Sequence, residues 1–145
     1  MARIIIVAML LAAAILGGVL YYQQVYAYYD DVPAGPEAVR LTSVSTGEAE
    51  PIAVQNFRGI DAISSPLRYR ACFETTLSQA MLTETYQIVD NAEPRVAPRW
   101  FDCFDAAQIG ADLGTEAVAF MGVENIAYGI DRIVAIYPDG YKQGK

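Results

Sequence analysis

Between Ile4 and Tyr22 the chain has no charged side chain, and that run, IIIVAMLLAAAILGGVLYY, constrains everything else. Nineteen residues at about 1.5 Å each give roughly 28 Å of helix, close to the hydrocarbon thickness of a bilayer. A lone span in lipid must satisfy its own backbone hydrogen bonds, so it has to be helical. Arg3 precedes the run, and Asp30 and Asp31 come after it. The positive-inside rule then predicts a single-pass protein with a cytoplasmic N-terminus and a periplasmic C-terminal domain in a bacterial inner membrane.

A cleaved signal peptide is the competing reading, because Val25-Tyr26-Ala27 meets the small-x-small cleavage pattern. The apolar run is longer than the roughly 7–15 residues of a signal's core, which favours a retained anchor over residues 1–29. Either reading exports the rest of the chain. Tyr21, Tyr22, Tyr26, Tyr28 and Tyr29 are half of the chain's 10 tyrosines. Amphipathic rings settle at the headgroup level, so they read as an aromatic belt against the lipid bilayer. Helical spacing puts Tyr22, Tyr26 and Tyr29 on one side, which extends the helix past the lipid. Ala13 with Gly17, and Ala14 with Gly18, place small residues one turn apart. Close helix–helix packing in lipid requires that spacing, although Ala-rich spans also produce it by chance.

Only Arg3 is charged ahead of Asp30, so the remainder is one unit more negative than the whole chain's −7. Such a domain repels nucleic acid and anionic surfaces, and no nucleic-acid partner is expected. Histidine is absent, which removes Ser-His-Asp and Cys-His catalysis, His-containing zinc sites and His-ligated haem. Two cysteines cannot build a thiolate zinc cage or an iron–sulfur cluster within one chain. No metal or other cofactor is expected.

Residues 30–38 contain DDVPAGP and read as a short Pro/Gly-rich linker, which leaves residues 39–145 for one small domain. Its periodicity predicts an α+β fold: a mainly antiparallel sheet with two short helices. Residues 39–44, 52–57, 67–74, 86–89, 117–121 and 130–137 read as strands. In residues 67–74, Leu67, Tyr69, Ala71 and Phe73 share one face, and Arg68, Arg70, Cys72 and Glu74 the other. Thr75 or Thr76 caps a helix running to Glu84, with Leu77, Ala80 and Met81 inward. Residues 91–99, with Pro94 and Pro98, read as an ordered surface loop. Asp105 caps a second helix that buries Ile109 and Leu113 and stops at Gly114. Pro138-Asp139-Gly140 is a turn.

Cys72 and Cys103 are expected to form a structural disulfide, since an exported domain with two cysteines usually joins them. A catalytic dithiol is disfavoured by the missing Cys-x-x-Cys spacing. Beside them, Trp100, Phe101 and Phe104 read as an aromatic lid on the core. Together with Arg95 and Arg99 they form the alternative, a partner-facing patch of residue types favoured at interface hot spots. Arg68 and Arg70 are expected to pair with Asp102, Asp105 or Glu74 rather than to hold an anion. Asp102, Asp105 and Asp112 lack the alternation of a calcium loop. Gly110-x-x-x-Gly114 lacks the Lys-Ser/Thr of a phosphate loop.

The stretches YYQQVYAYY, SSPLRYRACFETT, AMLTETY, WFDCFDAAQIG, NIAYGIDRIVAI and PDG cover most of the chain. Together they resemble an uncharacterised family of small, single-span, membrane-anchored proteins of Rhodobacter-like alphaproteobacteria. The resemblance implies topology and compartment and carries no activity. Members of that family continue past the PDG turn into a further strand, whereas this chain ends in YKQGK, a departure that leaves the edge of the sheet open. The expected function is a non-enzymatic accessory or assembly subunit of an inner-membrane complex, respiratory or photosynthetic, with integral membrane subunits as partners. The alternative is a free-standing, membrane-tethered periplasmic binding or envelope-maintenance module.

Overall fold

The computed structural model describes residues 2–138 and 141–144. The uncharged run forms α1 (Ala2–Tyr22), which continues as one turn of π-helix, Gln23–Ala27, closed by the Tyr28 N–H on the Gln23 carbonyl at 3.2 Å. None of α1 is buried against the rest of the chain, and this is a helix long and apolar enough to cross a membrane.

Beyond the helix the chain is α+β. Six antiparallel strands form the main sheet: β1 (Asp30–Val32), β4 (Gln55–Asp61), β5 (Arg70–Glu74), β6 (Val118–Ala127), β7 (Ile130–Ile136) and β8 (Tyr141–Gly144). Their order across the sheet is β1-β4-β5-β8-β7-β6. β2 (Arg40–Thr42) and β3 (Ala49–Pro51) make a separate hairpin, and the short helices are α2 (Gln79–Thr85) and α3 (Ala106–Asp112). Tyr141–Gly144, in the segment expected to depart from the family's further strand, forms β8, which bridges β5 and β7 in mid-sheet. Asp139 and Gly140 of the expected turn lie outside the described residues.

Both faces of the sheet are covered. Phe73, Val134 and Ile136 pack with Val39, Leu41, Ile52, Leu82, Tyr86 and Phe120 beneath the hairpin and α2. On the other face Cys72, Ala135 and Ile60 meet Phe101, Phe104 and Ile109 from α3 and the loop before it. Side chains alternate along a strand, so a strand buried at four consecutive positions, as β5 is, needs a layer on each side. Of the two faces expected for this strand, Phe73 lies in one layer and Arg70 and Cys72 in the other.

Several boundaries also move. Asp30 to Val32, expected in the linker, pair with Gly59–Asp61 as an edge strand. The expected strand at residues 52–57 is shifted later, to Gln55–Asp61, while Ile52 plugs the core ahead of it. Pro66 starts one turn of 3-10 helix, Pro66–Arg68, capped by the Ser65 hydroxyl on the Leu67 N–H, so the next strand begins only at Arg70. α2 is capped by Ser78, whose hydroxyl accepts from the Met81 N–H at 3.3 Å, while the Thr75 hydroxyl accepts earlier, from the Leu77 N–H, and donates to the Ala53 carbonyl at 2.8 Å. Leu82, and not Met81, is its buried residue. Residues 86–89 make isolated bridges, Ser43 to Tyr86 and Ile88 to Phe120, instead of a strand. Asp105 does cap α3, accepting from the Ala107 and Gln108 N–H groups at 3.0 Å, and Gly114 comes next with φ of +84°.

Candidate functional site

The end of α1 leaves its last carbonyls without helical partners, as any helix C-terminus does. The domain supplies one. The indole Nε1 of Trp100 donates to the Val25 carbonyl at 2.7 Å. The Trp100 ring stacks on Tyr26, with centroids 6.0 Å apart, and meets Tyr29 edge-on at 5.7 Å. Tyr26 in turn stacks on Tyr22 at 5.7 Å. Tyr22 and Tyr26 thus form a stack on the helix end, and Trp100, from the folded domain, links that stack to Tyr29. Tyr21 and Tyr28 stay exposed.

Trp100 is therefore a joint rather than a simple lid. Its neighbours Phe101 and Phe104 are core residues, buried on the face of the sheet that α3 covers. The disulfide Cys72–Cys103, with Cα atoms 6.3 Å apart, ties this aromatic segment to β5. Its separation of 31 residues corresponds to about 3–4 kcal/mol in the chain-entropy model.

Arginines brace the joint. Arg68 lies over the Tyr29 ring at 5.8 Å and Arg58 over Phe101 at 5.6 Å. The ion pair of Arg58 with Asp102, at 3.2 Å, is exposed on both sides and adds little. Arg70 does not pair with a carboxylate as expected. Its guanidinium donates to the carbonyls of Leu67, Tyr69, Arg95 and Val96, at 2.8, 2.6, 2.9 and 3.0 Å, and sits over Phe104. Burial lowers its pKa. It works as an internal strut that fastens the proline-rich loop at residues 91–99 to the start of β5. Arg95 and Arg99, from the expected patch, project from that loop into solvent. Glu74 instead accepts from Asn56 at 2.9 Å.

A cleft of about 210 Å³ opens beside the same loop, lined by Tyr69, Arg70, Arg95 and Arg132 among others. Arg132 stacks on Tyr69 at 3.7 Å, and burial raises the Tyr69 pKa. Among the described residues, Arg132 Nε and one terminal nitrogen of Arg68 are buried without a hydrogen-bond partner. No three acidic or cysteine side chains come together to hold a metal, among the described residues. Ala13, Ala14, Gly17 and Gly18 remain on the bare helix, and nothing lies within 4 Å of a Cβ built on either glycine.

A family of unknown function (DUF6446) matches residues 39–143, nearly the whole folded domain. The chain belongs to this family. Neither a curated protein nor a solved structure matches it. The matched span holds the disulfide, Trp100 and the arginine strut, whereas the helix and its tyrosines precede it.

Proposed function

We infer that the chain is a non-enzymatic accessory or assembly subunit of an inner-membrane complex, respiratory or photosynthetic. Its resemblance supports an origin in Rhodobacter-like alphaproteobacteria. α1 crosses the membrane and packs on integral partner subunits through Ala13, Ala14, Gly17 and Gly18, while the domain lies over the periplasmic face. The observation that carries this reading is the joint between Trp100 and Val25, Tyr26 and Tyr29. A free-standing tethered module needs a connector with reach. Here Asp30–Val32 is consumed as an edge strand and the helix end is gripped by an indole, which holds the domain at one height. A fixed domain beside an unpaired helix suits a subunit that must meet a partner in one geometry. Arg3 before the span, Asp30 and Asp31 after it, and the disulfide support the periplasmic side.

The test is replacement of Gly17 and Gly18 by Leu, which preserves hydrophobicity and insertion but holds neighbouring backbones apart. The variant is expected to stay in the membrane and to lose the partners that co-purify with the natural chain from mild detergent. Unchanged co-purification would remove the helix from the interface. A fused reporter active only in the periplasm checks the side: no activity would reverse the topology.

A further inference from the structure

We propose that the end of the domain nearest α1 is itself a membrane-docking surface, which seats on the phospholipid headgroup layer around its own helix. Such docking rests on α1 lying in the bilayer. The register of the sheet defines that end. Asp30, one residue past Tyr29, pairs with Asp61, so the loop after β4 turns back towards the helix. Ile60 pairs with Arg70, which puts the start of β5 at the same end. Ala71 and Val134 both pair with Gly144, so the start of β7 and the hairpin before it also project there. Arg70, bonded to the Arg95 and Val96 carbonyls, brings the loop at residues 91–99 alongside.

Three loops from distant parts of the sequence therefore converge on one end, and each carries a large apolar or aromatic side chain with no cover. Ile63 is 100% exposed, Val96 83% and Tyr128 104%, the highest values among the large hydrophobic side chains of the described residues. A water-facing domain has no reason to gather its three barest hydrophobes at the end where its membrane helix enters. The loop of Val96 also carries Arg95 and Arg99, both exposed, and Arg68, with one buried nitrogen unpartnered among the described residues, stands just ahead of β5. Arginine forks match phosphate oxygens, and aromatic and aliphatic tips settle just beneath them. Asp30 and Asp61, paired across β1 and β4, and Glu93 and Asp131 beside Arg95 lie at the same end, so the surface is mixed in charge. Its fit is to lipid phosphate with apolar insertion, and not to a strongly negative membrane as such. Trp100, bonded to Val25 within the helix end, marks the same level.

Trp100 is the only tryptophan, which makes fluorescence the natural test. The full chain is reconstituted in phosphatidylcholine vesicles, ordinary or brominated in the acyl chains, as the natural sequence, Tyr128→Trp or Glu116→Trp. Residue 116 precedes β6 at the far end of the sheet, where Val118 pairs with Ile136. With the Trp100 signal subtracted, Tyr128→Trp emission is expected to shift to the blue and to fall severalfold in brominated lipid, while Glu116→Trp stays water-like. Replacing Arg68, Arg95 and Arg99 with Gln in the Tyr128→Trp chain is expected to weaken that quenching.

Quenching of Trp100 alone, with Tyr128→Trp open to aqueous iodide, would overturn docking while leaving the membrane span intact, and would give those tips to a protein partner. Equal quenching at residues 116 and 128 would overturn it as well. Absence of quenching even at Trp100 would overturn the span, and the docking with it.

Discussion

Trp100 and Val25 stand 75 positions apart in the sequence and are joined by one hydrogen bond of 2.7 Å from an indole N–H to a helix-end carbonyl. The bond satisfies an acceptor that the helix cannot, and the same ring packs on Tyr26 and Tyr29. Trp100→Ala removes both effects. Because the ring is only half-buried, the expected loss is about 2 kcal/mol, below the range for a fully buried tryptophan. Trp100→Phe keeps a ring and loses only the bond, about 1 kcal/mol. Limited chymotrypsin digestion in detergent reads the joint directly. Cleavage after Tyr26, Tyr28 or Tyr29 should be slow in the natural chain and fast in Trp100→Ala, with the domain still folded. Equal rates would mean that the indole does not hold the helix end.

The Cys72–Cys103 bridge holds the aromatic segment on β5. Replacing both cysteines with Ala is expected to lower unfolding stability by about 3–4 kcal/mol, with reductant producing a similar loss in the natural chain. Denaturant titrations with and without reductant measure both. A double variant as stable as the oxidised chain would deny the bridge a structural role.

At Gly122 a Cβ would lie 2.6 Å from the Arg132 carbonyl and 3.3 Å from the Arg40 carbonyl, with backbone on both sides. Here β6 shifts register against β7 and the Thr42 hydroxyl donates to the Gly122 carbonyl. Gly122→Ala should cost about 1–3 kcal/mol, the scale of overpacking. Gly35→Ala, where nothing lies within 4 Å, should stay near zero. Denaturation midpoints of the two variants compare them under identical conditions.

Burial, reinforced by its 2.7 Å hydrogen bond to Asp112, holds the Tyr137 hydroxyl above its ordinary pKa of 10.0. A group whose pKa is higher folded than unfolded contributes stability at pH values below the unfolded pKa and loses it as pH climbs beyond. Stability should thus fall above about pH 10. Tyr137→Phe should be weaker by about 1 kcal/mol near neutrality and should lose less on going alkaline. Tyr69 and Tyr86, also raised by burial, keep part of the slope. Parallel slopes for variant and natural chain would remove Tyr137 as a contributor.

The features legible in the sequence are those that local chemistry determines. The uncharged run specifies α1, Asp105 announces its own cap, and the two cysteines announce their bridge. The apolar stretches behind β6 and β7 are also readable. Less legible is anything set by what packs on top. Arg70 looks like a surface charge because alternation alone cannot reveal a second covering layer. Its four carbonyl partners come from segments whose meeting no periodicity encodes. Pro66 is the available signal that the strand at residues 67–74 starts late. Trp100 stands out beside the disulfide, yet its contact with the tyrosines depends on how distant segments of the chain fold back on each other. The convergence of Ile63, Val96 and Tyr128 comes from strand register and from the Arg70 bonds to the loop that carries Val96.

Native mass spectrometry of the chain released from its own membranes in mild detergent measures a subunit role most directly. The expected spectrum shows the chain in fixed stoichiometry with an integral membrane protein, and that species disappears when Gly17 and Gly18 are replaced by Leu. A chain that leaves the membrane alone, with lipid as its only companion in both forms, would contradict the subunit role and favour a free-standing tethered module.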